Sequence, residues 1–169
     1  MMRRMLARIL AAMAMSGIAC VAPTQSWGEG SPVHLVLSND KPRTSYAVPP
    51  EIVRASPPLV TITVERIDNP SQAQVDILVS LRWVPADEAT RGARTTAIGT
   101  LSLFPADRPG RFALRTSEGF KQLHETDVPL EALRVFMDFD LLASDPQRKA
   151  SASLAVVITE PAWAMDEPQ

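Results

Sequence analysis

The stretch VDILVSLRW, residues 75–83, decides the fold. Val75, Ile77, Val79, Leu81 and Trp83 alternate with Asp76, Leu78, Ser80 and Arg82, so a period of two commits one face to a core, as in a half-buried strand. The same period recurs on both sides of it. Leu133, Val135, Met137, Phe139 and Leu141 alternate with Arg134, Phe136, Asp138, Asp140 and Leu142. Val60, Ile62 and Val64 alternate with threonines and Glu65, and Leu154, Val156 and Ile158 repeat the pattern near the end. Shorter candidates cover 33–37, 97–104 and 111–115. The sequence between these runs is turn chemistry: Asp68-Asn69-Pro70-Ser71, then Pro105 to Gly110, then Ser144-Asp145-Pro146. Proline fixes φ, Asn and Asp tolerate the left-handed region, and Gly supplies positive φ.

Only two places look helical. Thr116 or Ser117 caps a turn or two through Phe120 and Leu123, and 129–133 forms one more turn. The Pro-rich 41–58 reads as linker or edge strand, because proline cannot sit in a central strand. The expected fold is all-β, an antiparallel β-sandwich of about seven strands with one or two short helical turns, a barrel being the second choice. Its parts are an export signal at 1–26, a Pro-rich segment with an edge strand at 27–58, the sandwich core at 59–160 and a frayed tail at 161–169.

The leader MMRRMLARILAAMAMSGIACVA has Arg3, Arg4 and Arg8 ahead of an apolar run and no acid. That is the arrangement of a bacterial-type export signal, and the run is shorter than the ~20 apolar residues of a membrane-spanning helix. The context of Arg3-Arg4 does not match a twin-arginine signal. Ser16 to Cys20 resembles a lipobox, with Gly17 where leucine is usual, so lipidation of Cys20 stands beside ordinary cleavage near Ser26 or Gly28. The expected localisation is periplasmic or secreted, with membrane contact only through the signal or a lipid anchor. Residues 1–26 hold three of the 17 basic residues and none of the 19 acids, so the remainder carries a net charge of −5. A domain of that sign has no electrostatic attraction to nucleic acid.

Composition excludes other classes. One cysteine makes no intramolecular disulfide, and two histidines do not build a His-rich or Cys/His metal centre. No hydrolase elbow, zinc-protease helix, P-loop, dinucleotide fingerprint or C-x-x-C is present, so no catalytic residue and no cofactor is assigned. His34 and His124 read as surface or hydrogen-bonded side chains. Asp138 and Asp140 are the sharpest polar pair, pointing to one face of a strand about 7 Å apart. A solvated face, paired with Arg134 or Arg148, is the plain reading. Calcium coordination with Asp145 and a glycosidase-like acid/base pair are the alternatives. Trp83 belongs to the core, whereas Trp27 and Trp163 lie near the ends. Phe136 and Leu142 fall on the polar side of their strand, which means either two covered faces or an apolar patch for a partner.

The order of segments across 59–160 resembles the β-sandwich domain that follows the copper domain in bacterial tyrosinase-type (polyphenol oxidase) proteins. The resemblance is carried by Leu59-Val-Thr-Ile-Thr-Val-Glu-Arg-Ile67 with Asn69-Pro70, then Val75-Asp-Ile-Leu-Val79 and Gly99-Thr-Leu-Ser-Leu-Phe104. Phe112-Ala-Leu114, Phe120-Lys-Gln-Leu123, Leu133-Arg-Val-Phe136 and the final strand complete it. The copper-binding histidines of that family have no counterpart, so the resemblance implies the sandwich alone, without its chemistry. Three functions follow as expectations. The first is a non-catalytic accessory or protein-interaction module, companion to a tyrosinase-like oxidase. The second is a small-ligand or carbohydrate-binding module of the cell envelope. The third is a hydrolase built on Asp138 and Asp140.

Overall fold

The computed structural model describes residues 33–86, 92–143 and 154–164. The expected export signal at 1–26 with Cys20, and likewise Trp27, Asp145 and Arg148, lie outside the described residues. Among these residues nine strands form two sheets. The first contains β1 (His34–Ser38), β8 (Ala155–Thr159), β3 (Leu59–Asp68) and β6 (Gly110–Arg115) in that order, and β9 (Ala162–Ala164) also pairs with β3. The second runs β2 (Arg43–Ala47), β7 (Leu133–Ala143), β4 (Val75–Pro85), β5 (Arg94–Leu103). Every ladder is antiparallel. The protein is an all-β antiparallel sandwich with short helical pieces.

The core is the set that the period of two selects. Val75, Ile77, Val79, Leu81 and Trp83 of β4 are buried, and so are Val135, Met137 and Phe139 of β7. From the other sheet come Val60, Ile62 and Val64 of β3, Val156 and Ile158 of β8, and Leu35 and Leu37 of β1. The alternation in β3 holds only to Val64. The β3–β8 register shifts between Val64 and Arg66, a bulge that absorbs one residue. Past it Ile67, rather than Arg66, packs against the core.

Two stretches depart from the sequence reading. The Pro-rich segment does supply an edge strand, β2, but it also forms the helix α1 (Pro50–Ala55). Proline is welcome at a first helical position, where its missing N–H costs nothing, and Glu51 in the first turn and Arg54 in the last suit the helix dipole. The tail is corrected as well: Ala162–Ala164 do not fray but add to β3 as β9. Trp163 is the reason. Its ring lies 5.9 Å from that of Phe120, tilted by 55°, so apolar contact ties the segment down.

Phe120 belongs to α2 (Ser117–His124), whose buried side is Gly119, Phe120 and Leu123. Thr116 occupies the cap position, but its hydroxyl accepts no bond from the helix N–H groups and instead donates to Pro57 O, while its N–H donates to Pro58 O at 2.9 Å. These bonds fasten the start of α2 to the strand-entry segment of β3. A single 3-10 turn, Leu130–Ala132, then leads into β7. No helix among the described residues is long and apolar enough to cross a membrane.

Candidate binding site

The outer face of the four-stranded sheet carries the two aspartates. Register places Arg43 beside Asp140 and Ser45 beside Asp138 across β2–β7, and Ser80 beside Asp138 and Arg82 beside Phe136 across β7–β4. Asp138 is 90% buried under these neighbours. Arg82 Nε donates to Asp138 Oδ2 at 2.6 Å and Nη2 to Oδ1 at 3.1 Å. Ser45 Oγ donates to the same Oδ1 at 2.6 Å. The Arg82 guanidinium sits 4.5 Å from the Phe136 ring centre, a cation–π contact that covers the ring. Arg43 pairs with Asp140. Both arginines are held above their ordinary pKa, chiefly by the hydrogen bonds to their aspartates, so both stay cationic.

Asp138 and Asp140 therefore share a face, as their spacing predicts, but each carboxylate is engaged by a guanidinium. Among the described residues the partners are Arg82 and Arg43 rather than Arg134. An acid/base pair needs at least one carboxyl that is free to exchange a proton with a substrate, and a calcium ion would have to displace the arginines. Among the described residues no three His, Cys, Asp or Glu side chains converge on a metal position.

The histidines are separately occupied. His34 Nδ1 lies 3.0 Å from Glu65 Oε2. His124 Nε2 lies 2.6 Å from Ser56 Oγ, and Ser56 closes α1 in the left-handed region with φ of 49°. The Ser56 hydroxyl also lies 2.9 Å from Val53 O, to which it donates. This arrangement is a helix C-cap tied to the end of α2.

Next to Phe136, where β2 runs into α1, the sheet opens into a groove of about 500 Å³. Val48, Val53 and Val135 form its floor and are buried core residues. Pro50, Leu130 and Leu133 form its walls. Arg54, Glu131 and Arg134 stand on the rim, exposed, and none of them is in an ion pair among the described residues. A concave apolar floor with a few charged groups at the mouth is the usual constitution of a binding pocket, and the volume falls within the roughly 300–1,000 Å³ of such sites. Sequence reasoning did not find this groove, because its two sides, α1 and the 3-10 turn, are far apart in the chain. The Pro50-Glu51 helix start was the one local signal available. No protein-family model matches the chain, and the search of curated proteins finds no match.

Proposed function

We propose that the protein is a non-catalytic accessory module of the cell envelope that binds a partner protein through the groove between α1 and Leu130–Ala132. The observation that supports it is the groove itself: core-quality apolar residues line its floor, and among the described residues its rim charges make no ion pair. A partner inserting an apolar side chain there, flanked by acidic groups for Arg54 and Arg134, would dry the floor and complete the rim. Placement in the envelope rests on the leader at 1–26, with lipidation of Cys20 as one of its two fates. The companion role to a tyrosinase-like oxidase rests on the resemblance across 59–160.

A photoreactive amino acid at Ala47, an exposed residue on the groove wall, tests the reading in the producing cell. The expected result is one crosslinked protein, identified by mass spectrometry, that is lost when Arg54 and Arg134 are both changed to Glu. The same probe at Val36, on the outside of the other sheet, should give none. A protein that stays uncrosslinked and strictly monomeric in envelope extracts rejects the proposal.

A further inference from the structure

A second concave site lies at the other end of the four-stranded sheet. β7 begins at Leu133 opposite Pro85, beside the groove, and ends at Ala143 opposite Val75, which also pairs with Leu103. Beyond Leu103 the β5–β6 loop meets the β3–β4 loop. Asn69, buried, fastens the two: its Nδ2 donates to Ala73 O at 2.8 Å and to Ala106 O at 3.1 Å. Its Oδ1 accepts from Ser71 Oγ at 3.1 Å. Between the loops is a cavity of about 350 Å³ lined in part by Gln72, Phe104, Asp107 and Arg108.

Three features of this cavity are unusual together. Phe104 is 95% exposed, directly after the fully buried Leu103; strand alternation turns it outward, and among the described residues no apolar side chain covers it. A bare aromatic ring forgoes about 2 kcal/mol of burial. Gln72 has φ of 48° without being glycine, a conformation whose cost is tolerated most often at binding and active sites. Asp107 and Arg108 are exposed and make no ion pair among the described residues. A flat apolar ring is thus set among an amide, a carboxylate and a guanidinium, on loops pinned by a buried side chain.

A pyranose ring has the matching form, with an apolar C–H face and a rim of hydroxyl groups that both donate and accept. We propose that this loop end is a carbohydrate-binding site, with Phe104 as the platform for a sugar face and Gln72, Asp107 and Arg108 as hydrogen-bond partners for its hydroxyls. The amide and carboxylate accept, the amide and guanidinium donate, and together they address both roles of a hydroxyl. A protein partner would favour an apolar surround for Phe104, as interface cores are depleted in charge. The proposal is independent of the groove at the other end and goes beyond the partner-binding reading.

The test is retention of the purified protein on a panel of polysaccharides, including cellulose, chitin, peptidoglycan, xylan and dextran, read by sedimentation or affinity electrophoresis. At least one should bind. Phe104→Ala should weaken that binding tenfold or more with an unchanged melting temperature, since the ring packs on nothing. Phe104→Trp should retain it, and Asp107→Asn with Arg108→Gln should weaken it less than loss of the ring. Ala47→Trp, which fills the groove, should bind as the parent does, so failure of the groove reading leaves this result intact. No binding across the panel, or equal binding by Phe104→Ala, overturns the proposal. Loss of a partner protein on Phe104→Ala without any glycan binding overturns it too, and makes the ring a protein contact.

Discussion

Asp138 joins three elements through one carboxylate. It takes two hydrogen bonds from Arg82 of β4 and one from Ser45 of β2, at a position 90% buried. Removing it as Asp138→Ala leaves a half-buried guanidinium without its counterion and Ser45 without its acceptor, which should cost about 1–2 kcal/mol in denaturant unfolding. Asp138→Asn, which keeps an acceptor for Ser45, should cost less. Because Arg82 and Arg43 occupy Asp138 and Asp140, excess calcium or EDTA should leave the melting temperature where it is; a calcium-dependent rise would show that the arginines can be displaced. Tyr46, the single tyrosine of the chain, donates to Glu160 Oε1 at 2.6 Å. Burial first, then that hydrogen bond, raises its pKa above the ordinary 10.0. The folded state thus holds the phenol proton more tightly than the unfolded chain does. This stabilisation is complete below pH 10 and declines as pH rises beyond it. Tyr46→Phe should remove that alkaline decline and cost about 1 kcal/mol at neutral pH, and tyrosinate absorbance reports the titration without interference from another tyrosine.

At the scale of elements, α2 closes on the sheet through a glycine. A Cβ built on Gly119 would lie 2.8 Å from Leu81 Cδ1 and 3.1 Å from Ile98 Cγ2. Alanine in place of a helical glycine ordinarily gains up to about 1 kcal/mol. Here the contact is with Leu81, fully buried in the core, so Gly119→Ala should instead lose about 1–2 kcal/mol through overpacking. A gain in melting temperature would mean that α2 sits farther from β4 than described. The same scale separates what the sequence discloses from what it hides. β4, β7, β3 and β8 were legible because alternation is a property of one strand. Phe120 and Leu123 announced α2, and Asp138 and Asp140 announced a shared face. Their partners were not legible: Arg82 and Arg43 lie 56 and 97 residues away, and only strand order decides which residues become neighbours. Phe104 was legible in parity, since it falls with Thr100 and Ser102 opposite Leu101 and Leu103, but the loop that meets it beyond β5 was not.

For the whole molecule the decisive property is the order of strands, 1-8-3-6 in one sheet and 2-7-4-5 in the other. Consecutive strands hold matching ranks in the two sheets, so the chain passes from sheet to sheet at nearly every connection. Of the described ladders only β4–β5 joins strands that follow each other in sequence; the rest close longer loops. With a single cysteine, Cys20, no disulfide within the chain preorganises these closures. Each non-local ladder must therefore lose chain entropy before its contacts compensate. Stability should be gained late, when β3 has found β6, β8 and β9 and β7 has found β2 and β4. Refolding after denaturant dilution should accordingly fall in the range of about milliseconds to seconds that non-local β-sandwiches share. Reductant should change neither the rate nor the melting temperature. Core truncation at the β4–β5 ladder, as in Val79→Ala, should slow folding more than Ile158→Val slows it per unit of stability lost, because that hairpin is the one pairing available early. Submillisecond refolding, or an equal effect of the two truncations on the folding rate, would be incompatible with a chain that crosses between sheets as this one does.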